Sequence, residues 1–131
     1  MASDRKTIKH FRQLDVYRLA FDCAMEIFRL SKGFPSEERY SLTDQIRRSS
    51  RSVCSNIAEG WRKRKYKAVF KSKMTGAMQE ASETQTWLDF CLSCNYMNES
   101  VFEEFDAKYE KIIGMLNAME RKADSFCFPA F

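Results

Sequence analysis

The chain has 131 residues, a formal net charge of +4, 44% hydrophobic residues and 31% charged ones. A domain of that size buries about two thirds of the surface its unfolded chain exposes, so it needs no disulfide framework. Four glycines and two prolines exclude a collagenous, low-complexity or turn-rich all-β chain, and no apolar run approaches the ~18 residues of a membrane span. The stretch from Met1 to Leu14 is charged and holds no apolar run of signal-peptide length, so a cytoplasmic location is the expectation.

The first helix is predicted from about 14 to 32. Val16, Leu19, Ala20, Cys23, Ile27 and Leu30 follow the spacing of one helix face. Gly33 and then Pro35 end it. Tyr17, Phe21, Ala24 and Phe28 add a second apolar stripe beside the first. An apolar arc of roughly 200° needs two partners to pack against. The second helix is predicted over 41–62, with Ser41 as N-cap and Asp44 three residues on. Leu42, Ile46, Ser49, Val53, Ile57 and Gly60 line its core face, and Arg47, Arg51 and Arg62 fall opposite, near Arg48. Gln45, Ser52 and Asn56 lie on the flank, where polar groups point to a hydrogen-bonded contact with another helix or subunit.

The third helix is predicted over 66–93, with Phe70, Met74, Ala77, Ala81, Thr84, Leu88 and Leu92 as its stripe and Asn95 as its stop. The fourth, over 99–123, starts at Asn98 or at a Ser100–Glu103 capping box. Phe102, Phe105, Tyr109, Ile112, Ile113, Leu116 and Met119 form its face. Residues 126–131 are an aromatic tail, Phe126, Phe128 and Phe131 among them, that should seek a groove rather than water. Short connections favour antiparallel neighbours. The expectation is an all-α chain: one domain over residues 1–131, folded as an antiparallel up-and-down four-helix bundle.

The modest net charge conceals an asymmetry. Residues 45–73 carry ten basic groups and one acid, Glu59, whereas residues 74–131 carry four basic and ten acidic groups. The basic block can bind phosphates and steer nucleic acid toward itself. It can equally be a solvated face balanced by the acidic half, within one chain or across subunits.

Catalytic patterns are missing. No GxGxxG, P-loop, HExxH or GxSxG occurs. The one histidine, His10, stands far from any serine or cysteine that would need a base. A di-iron bundle needs Glu-x-x-His pairs, and there are none. Cys91 and Cys94 form a CxxC, which is a redox pair, half a zinc site, or two small side chains at i and i+3; the second ligand pair of a zinc site is absent. Glu80 and Glu83 are candidates for a buried acid, with an ion pair as the plainer alternative. The chain therefore reads as a non-enzyme with no metal or cofactor.

Residues 34–60, FPSEERYSLTDQIRRSSRSVCSNIAEG, resemble the pattern FPxxExYxLxxQIRRxxxSIxxNIAEG. That pattern is the hallmark of the bacterial four-helix-bundle proteins encoded in intervening sequences of the 23S rRNA gene. Phe11, Leu14, Val16 and Tyr17 resemble that family's opening, Gly76 with Glu80 its third-helix GSxxE, and Asn95-Tyr96-Met97 its LGYL-like turn. Ala77 replaces the usual Ser, Val53 replaces Ile, and Lys65 stands where a Ser or Thr often caps the third helix. The resemblance implies a homopentamer. The family is similar to the accessory variability protein of diversity-generating retroelements, a basic pentamer that binds nucleic acid and a reverse transcriptase. RNA binding is therefore implied by association.

Two functional expectations follow. The first is an oligomeric nucleic-acid-binding bundle, in which Arg47, Arg48, Arg51, Arg62, Lys63, Arg64, Lys65 and Lys67 contact phosphates. With only Trp61 and Tyr66 interleaved in the block, base stacking should be minor and duplexes should bind at least as well as single strands. Tyr17, Phe21, Phe28, Gln45, Ser52 and Asn56 are the expected oligomer interface, unless the aromatic tail covers the first-helix stripe instead. The second is a structural or adaptor protein that binds another protein, such as a reverse-transcriptase-like partner, through apolar surfaces.

Overall fold

A computed structural model describes residues 8–129, and its long elements are four helices: α1 (Asp15–Ser31), α2 (Leu42–Arg62), α3 (Lys67–Ser93) and α4 (Glu99–Arg121). Single 3-10 turns at Phe11–Gln13, Ser36–Glu38 and Ala123–Ser125 finish the connections. No strand occurs among the described residues. Each helix packs on its neighbours in sequence, and α4 closes the ring against α1. This is the up-and-down bundle that the apolar spacing predicts, with ends one or two residues from the predicted ones.

The core forms where the stripes meet. Val16, Ala20, Cys23 and Ile27 of α1 are buried with Ile46, Val53 and Ile57 of α2. Phe70, Met74, Ala77, Ala81 and Leu88 of α3 join Phe105, Tyr109, Ile112 and Leu116 of α4. Leu19, Leu30, Phe102 and Ile113 are only partly buried at the edges, and in α3 Cys91 takes the inner place expected of Leu92.

One local expectation is corrected, and two helix ends are settled. Ser41 makes no side-chain cap on α2. Instead Glu38 reaches forward, its carboxylate accepting from Ser41 Oγ at 2.7 Å, from the Leu42 N–H at 3.4 Å and from Tyr96 OH at 2.8 Å. Those bonds, Ser41 first, hold the Glu38 carboxyl below its ordinary pKa. At α4 the cap is Asn98, whose side chain accepts from the Val101 N–H at 2.8 Å, so the Ser100–Glu103 box is not used. α1 ends at Ser31, just ahead of Gly33 as expected, and Gly33 is not in the left-handed conformation. That conformation is taken by Asn95, at φ 62°, with the Tyr96 N–H bonding back to the Cys91 carbonyl at 2.8 Å to close α3.

The closest helix pair is α2–α3. A Cβ on Gly60 would stand 2.9 Å from Lys73 Cβ, and one on Gly76 would stand 2.8 Å from Asn56 Oδ1. Below this approach, Ser49 and Thr84 share a buried hydrogen bond of 2.8 Å. The residues that carry the family resemblance at this level, Asn56, Gly60 and Gly76, are thus packing residues of one helix crossing.

The tail folds back on the α2–α3 end. Phe126 stacks on Phe70 with ring centroids 6.0 Å apart, and the Phe128 N–H donates to the Arg64 carbonyl at 3.2 Å. The described part of the tail therefore does not cover the α1 stripe, and Phe131 lies outside the described residues.

Candidate nucleic-acid interface

The fold splits the basic block into groups with different duties. At one end of α2, Arg47 is half-buried. Its Nε donates to Ser31 Oγ at 2.7 Å, its Nη2 approaches the Phe28 carbonyl at 3.5 Å, and its guanidinium lies 4.8 Å from the Phe28 ring centroid. A cation set on the last carbonyls of α1 complements the negative end of that helix. Arg51 and Lys32 approach the same ring, at 5.5 and 4.8 Å. Arg48 points the other way, toward α3. There it donates to Gln45 at 3.4 Å and pairs with Glu83 at 3.2 Å.

The acidic C-terminal half neutralises a second group. Lys67 pairs with Asp124 at 2.5 Å and Lys71 with Glu120 at 3.6 Å, while Lys73 pairs with Glu59 at 2.8 Å. The hydrogen bond and charge of Asp124 raise the Lys67 pKa, and Lys67 lowers that of Asp124.

What remains is the turn after α2. Among the described residues Arg62, Lys63, Arg64 and Lys65 have no carboxylate partner. Arg62 Nη2 lies 3.2 Å from His10 Nε2, and its guanidinium lies 5.6 Å from the Phe11 ring. Burial, Arg12 and Arg62 together hold His10 below its ordinary pKa. Arg64 is wedged between Trp61 at 3.6 Å and Phe128 at 4.9 Å, and its Nε donates to the Trp61 carbonyl at 2.8 Å. Burial lowers its pKa, but a guanidinium stays charged at neutral pH. The first turn of α3 begins here with Tyr66 as N-cap, no side-chain cap and no acidic residue. Its positive helix end therefore adds to the cations. Arg47 and Arg62 are 15 residues apart on α2, which separates them by about 22 Å along the helix.

Between these two cationic ends lies an apolar groove of about 360 Å³ lined by Phe11, Tyr17, Phe21, Met25, Arg51 and Ala58, among others. Phe21 is 47% exposed and Met25 36%. Tyr17 meets Phe11 edge-on and stacks on Phe21, with centroids at 5.0 and 6.1 Å. Phe28 does not line this groove; its ring carries the Arg47, Arg51 and Lys32 cations. Of the polar flank, Ser52 and Gln45 are half-buried, and Asn56 faces Gly76 inside the bundle with its Nδ2 donating to the Ser52 carbonyl at 2.8 Å.

The other candidates resolve as follows. Glu83 is engaged by Arg48 and by Trp87 Nε1 at 3.4 Å. Glu80 is half-buried, with its pKa raised first by burial and then by the Glu83 charge. Cys91 is buried and its thiol is pushed up to about 12, the opposite of an activated redox thiol, while Cys94 is exposed. No group of three His, Cys, Asp or Glu residues able to hold a metal occurs among the described residues. None of their helices is long and apolar enough to cross a membrane. The sequence reading missed the contribution of Phe11, His10 and Phe128 to the basic turn, because they are distant in the chain and carry no local signal.

A family model described as 23S rRNA-intervening sequence protein matches residues 12–118. A crystal structure of a protein of unknown function from the S23 ribosomal protein family of Bacteroides thetaiotaomicron VPI-5482 superposes with a TM-score of 0.72 at 25% identity. The match covers 81% of this chain and 95% of that one. No curated protein matches the chain.

Proposed function

The chain belongs to the 23S rRNA-intervening sequence protein family, and from that premise we propose that it is a non-enzymatic bundle that binds nucleic acid through the α2–α3 turn and associates with copies of itself through the α1–α2 groove. The observation that carries the binding reading is the set Arg62, Lys63, Arg64 and Lys65, without a carboxylate partner among the described residues while Arg48, Lys67, Lys71 and Lys73 are paired. A cluster of cations at a bundle end, beside an uncapped helix N-terminus, suits phosphate oxygens. Arg47 and Arg51 have a weaker claim, since they sit on α1 and Phe28. Closed symmetry would repeat the patch on each subunit and let weak contacts add.

The experiment replaces Arg62, Lys63 and Lys65 by Ser and leaves Arg64 in its stack. Affinity for a short duplex should fall, and the slope of log K against log salt should shrink by up to about 0.9 for each lost phosphate contact. Light scattering should show the same mass as the parent. Unchanged affinity rejects the phosphate reading, and dissociation of the oligomer shows the turn to be a subunit contact instead.

A second reading, an adaptor that docks another protein, is favoured by the exposure of Phe21 and Met25 in the groove. Apolar docking there would be nearly indifferent to salt, whereas phosphate binding weakens steeply.

A further inference from the structure

We propose that the ligand of the α2–α3 turn is an unpaired strand whose bases stack on Tyr66 and Phe128; this rests on the reading that the turn binds nucleic acid. The two rings are among the most exposed large apolar side chains described, 52% for Tyr66 and 56% for Phe128. Both stand on the same turn. Tyr66 is the N-cap of α3, its N–H bonded to the Lys63 carbonyl at 2.8 Å, and the Lys65 ammonium lies 5.7 Å from its ring centroid. Phe128 reaches the turn from the far end of the chain. Its N–H is held by the Arg64 carbonyl, and its ring meets the Arg64 guanidinium, which rests in turn on Trp61.

This proposal departs from the expectation of minor stacking, which counted only Trp61 and Tyr66. Trp61 is 4% exposed and underlies Arg64, so it offers no face to a base. Phe128 supplies the second ring that the local sequence lacks. The tail had an apolar alternative, as Phe126 shows by packing on Phe70, yet Phe128 projects beside the Arg64 guanidinium. Aromatic faces interleaved with positive charge are what single strands need: the charges track the backbone and each ring takes a base. A duplex keeps its bases stacked on one another and presents only phosphates to such a surface, so it gains nothing from the rings.

The test measures fluorescence anisotropy of labelled 12-nucleotide oligo-U, 12-nucleotide oligo-dT and a 12-base-pair DNA duplex, at one salt concentration. The variants are Tyr66→Ser with Phe128→Ser, and Tyr66→Phe with Phe128→Tyr. Single strands should bind the parent protein more tightly than the duplex. The Ser pair should lose about tenfold or more in single-strand affinity with the duplex nearly unaffected, and the ring-conserving pair should keep parent affinity. Similar response to oligo-U and oligo-dT marks stacking as indifferent to the sugar, and a preference for oligo-U assigns RNA. Equal losses on duplex and single strand, or no loss at all, overturn the stacking proposal and leave the phosphate reading intact. Failure of the parent to bind any of the three probes overturns both.

Discussion

His10 is a reporter placed by the fold at the edge of the basic turn. Its Nε2 lies 3.2 Å from the Arg62 guanidinium, so protonating the ring would set a third cation beside Arg12 and Arg62. A lowered pKa in the folded state means that the neutral ring contributes stability above the ordinary histidine value, and that this contribution is lost as pH falls through the lowered value. As the one histidine of the chain, it gives a single imidazole signal in proton NMR. Its titration midpoint should lie below 6.5 in the free protein and move up when an oligonucleotide brings phosphates to Arg62. A midpoint that ignores saturating oligonucleotide would place the phosphates elsewhere. Glu38 belongs to the same scale. Its low pKa comes from Ser41, Tyr96 and the Leu42 N–H, so its support of the α2 start is present above the ordinary glutamate range and fades as pH falls through the lowered pKa. Neither residue announces its role in the sequence. Ser41 satisfies the rule for an N-cap, yet the preceding turn delivers a carboxylate that takes the Ser41 hydroxyl and the Leu42 N–H.

Among the elements, the α2–α3 crossing depends on residues that have no side chain to spend. A methyl on Gly60 would come within 2.5 Å of Met74 Cε and 2.9 Å of Lys73 Cβ. The flexible methionine end can yield, but a Cβ on the facing helix cannot without moving its backbone. Alanine in a helix interior gains about 1 kcal/mol over glycine, while overpacking costs about 1–3 kcal/mol. Gly60→Ala should therefore lower the urea midpoint. Gly114, on the exposed face of α4, meets nothing within 4 Å, so Gly114→Ala should raise stability by about 0.5–1 kcal/mol. The reverse order of the two midpoints would show that α2 and α3 are farther apart than the glycine geometry requires. The core stripes of all four helices were readable as periodicity, because burial follows the 3.6-residue repeat. The close crossing itself was not readable: Gly60 stood on the α2 core face and Gly76 in the third-helix motif, but the absence of a side chain does not show how near the facing helix comes.

For the whole molecule the decisive fact is which charges cancel. The acidic α4 and the turn after it reach Lys67 and Lys71, so part of the basic block is balanced within the chain and part is left at the α2–α3 turn. Net charge along the sequence shows the asymmetry but not its cancellation, because pairs such as Lys67–Asp124 are made by folding. The α1 stripe was readable as too wide for one partner, and the described tail turns out to cover a different end. Phe21→Asp should leave the helical content and the melting transition nearly unchanged, because the ring is half exposed. It should shift the mass by light scattering toward the 15.4 kDa monomer if copies meet at the groove. A variant that keeps the parent mass would show that the groove is not where copies meet.

His10 and Phe128 touch the same turn, so the two ends of the described chain emerge at one pole of the bundle. An affinity tag joined at either end hangs over the surface that a binding assay must interrogate, and a polyhistidine tag would add its own charge to the measured salt slope. The opposite pole offers a cleaner handle. Cys94 is exposed just past the end of α3, a helix that spans about 40 Å from the basic turn. Cys23, Cys54 and Cys91 are buried with thiols pushed up to about 11, 12 and 12. Maleimide chemistry on the folded protein should favour Cys94 over those three, with Cys127→Ser removing the half-buried competitor. A dye fixed there would follow tumbling and assembly from a position that the ligand does not reach.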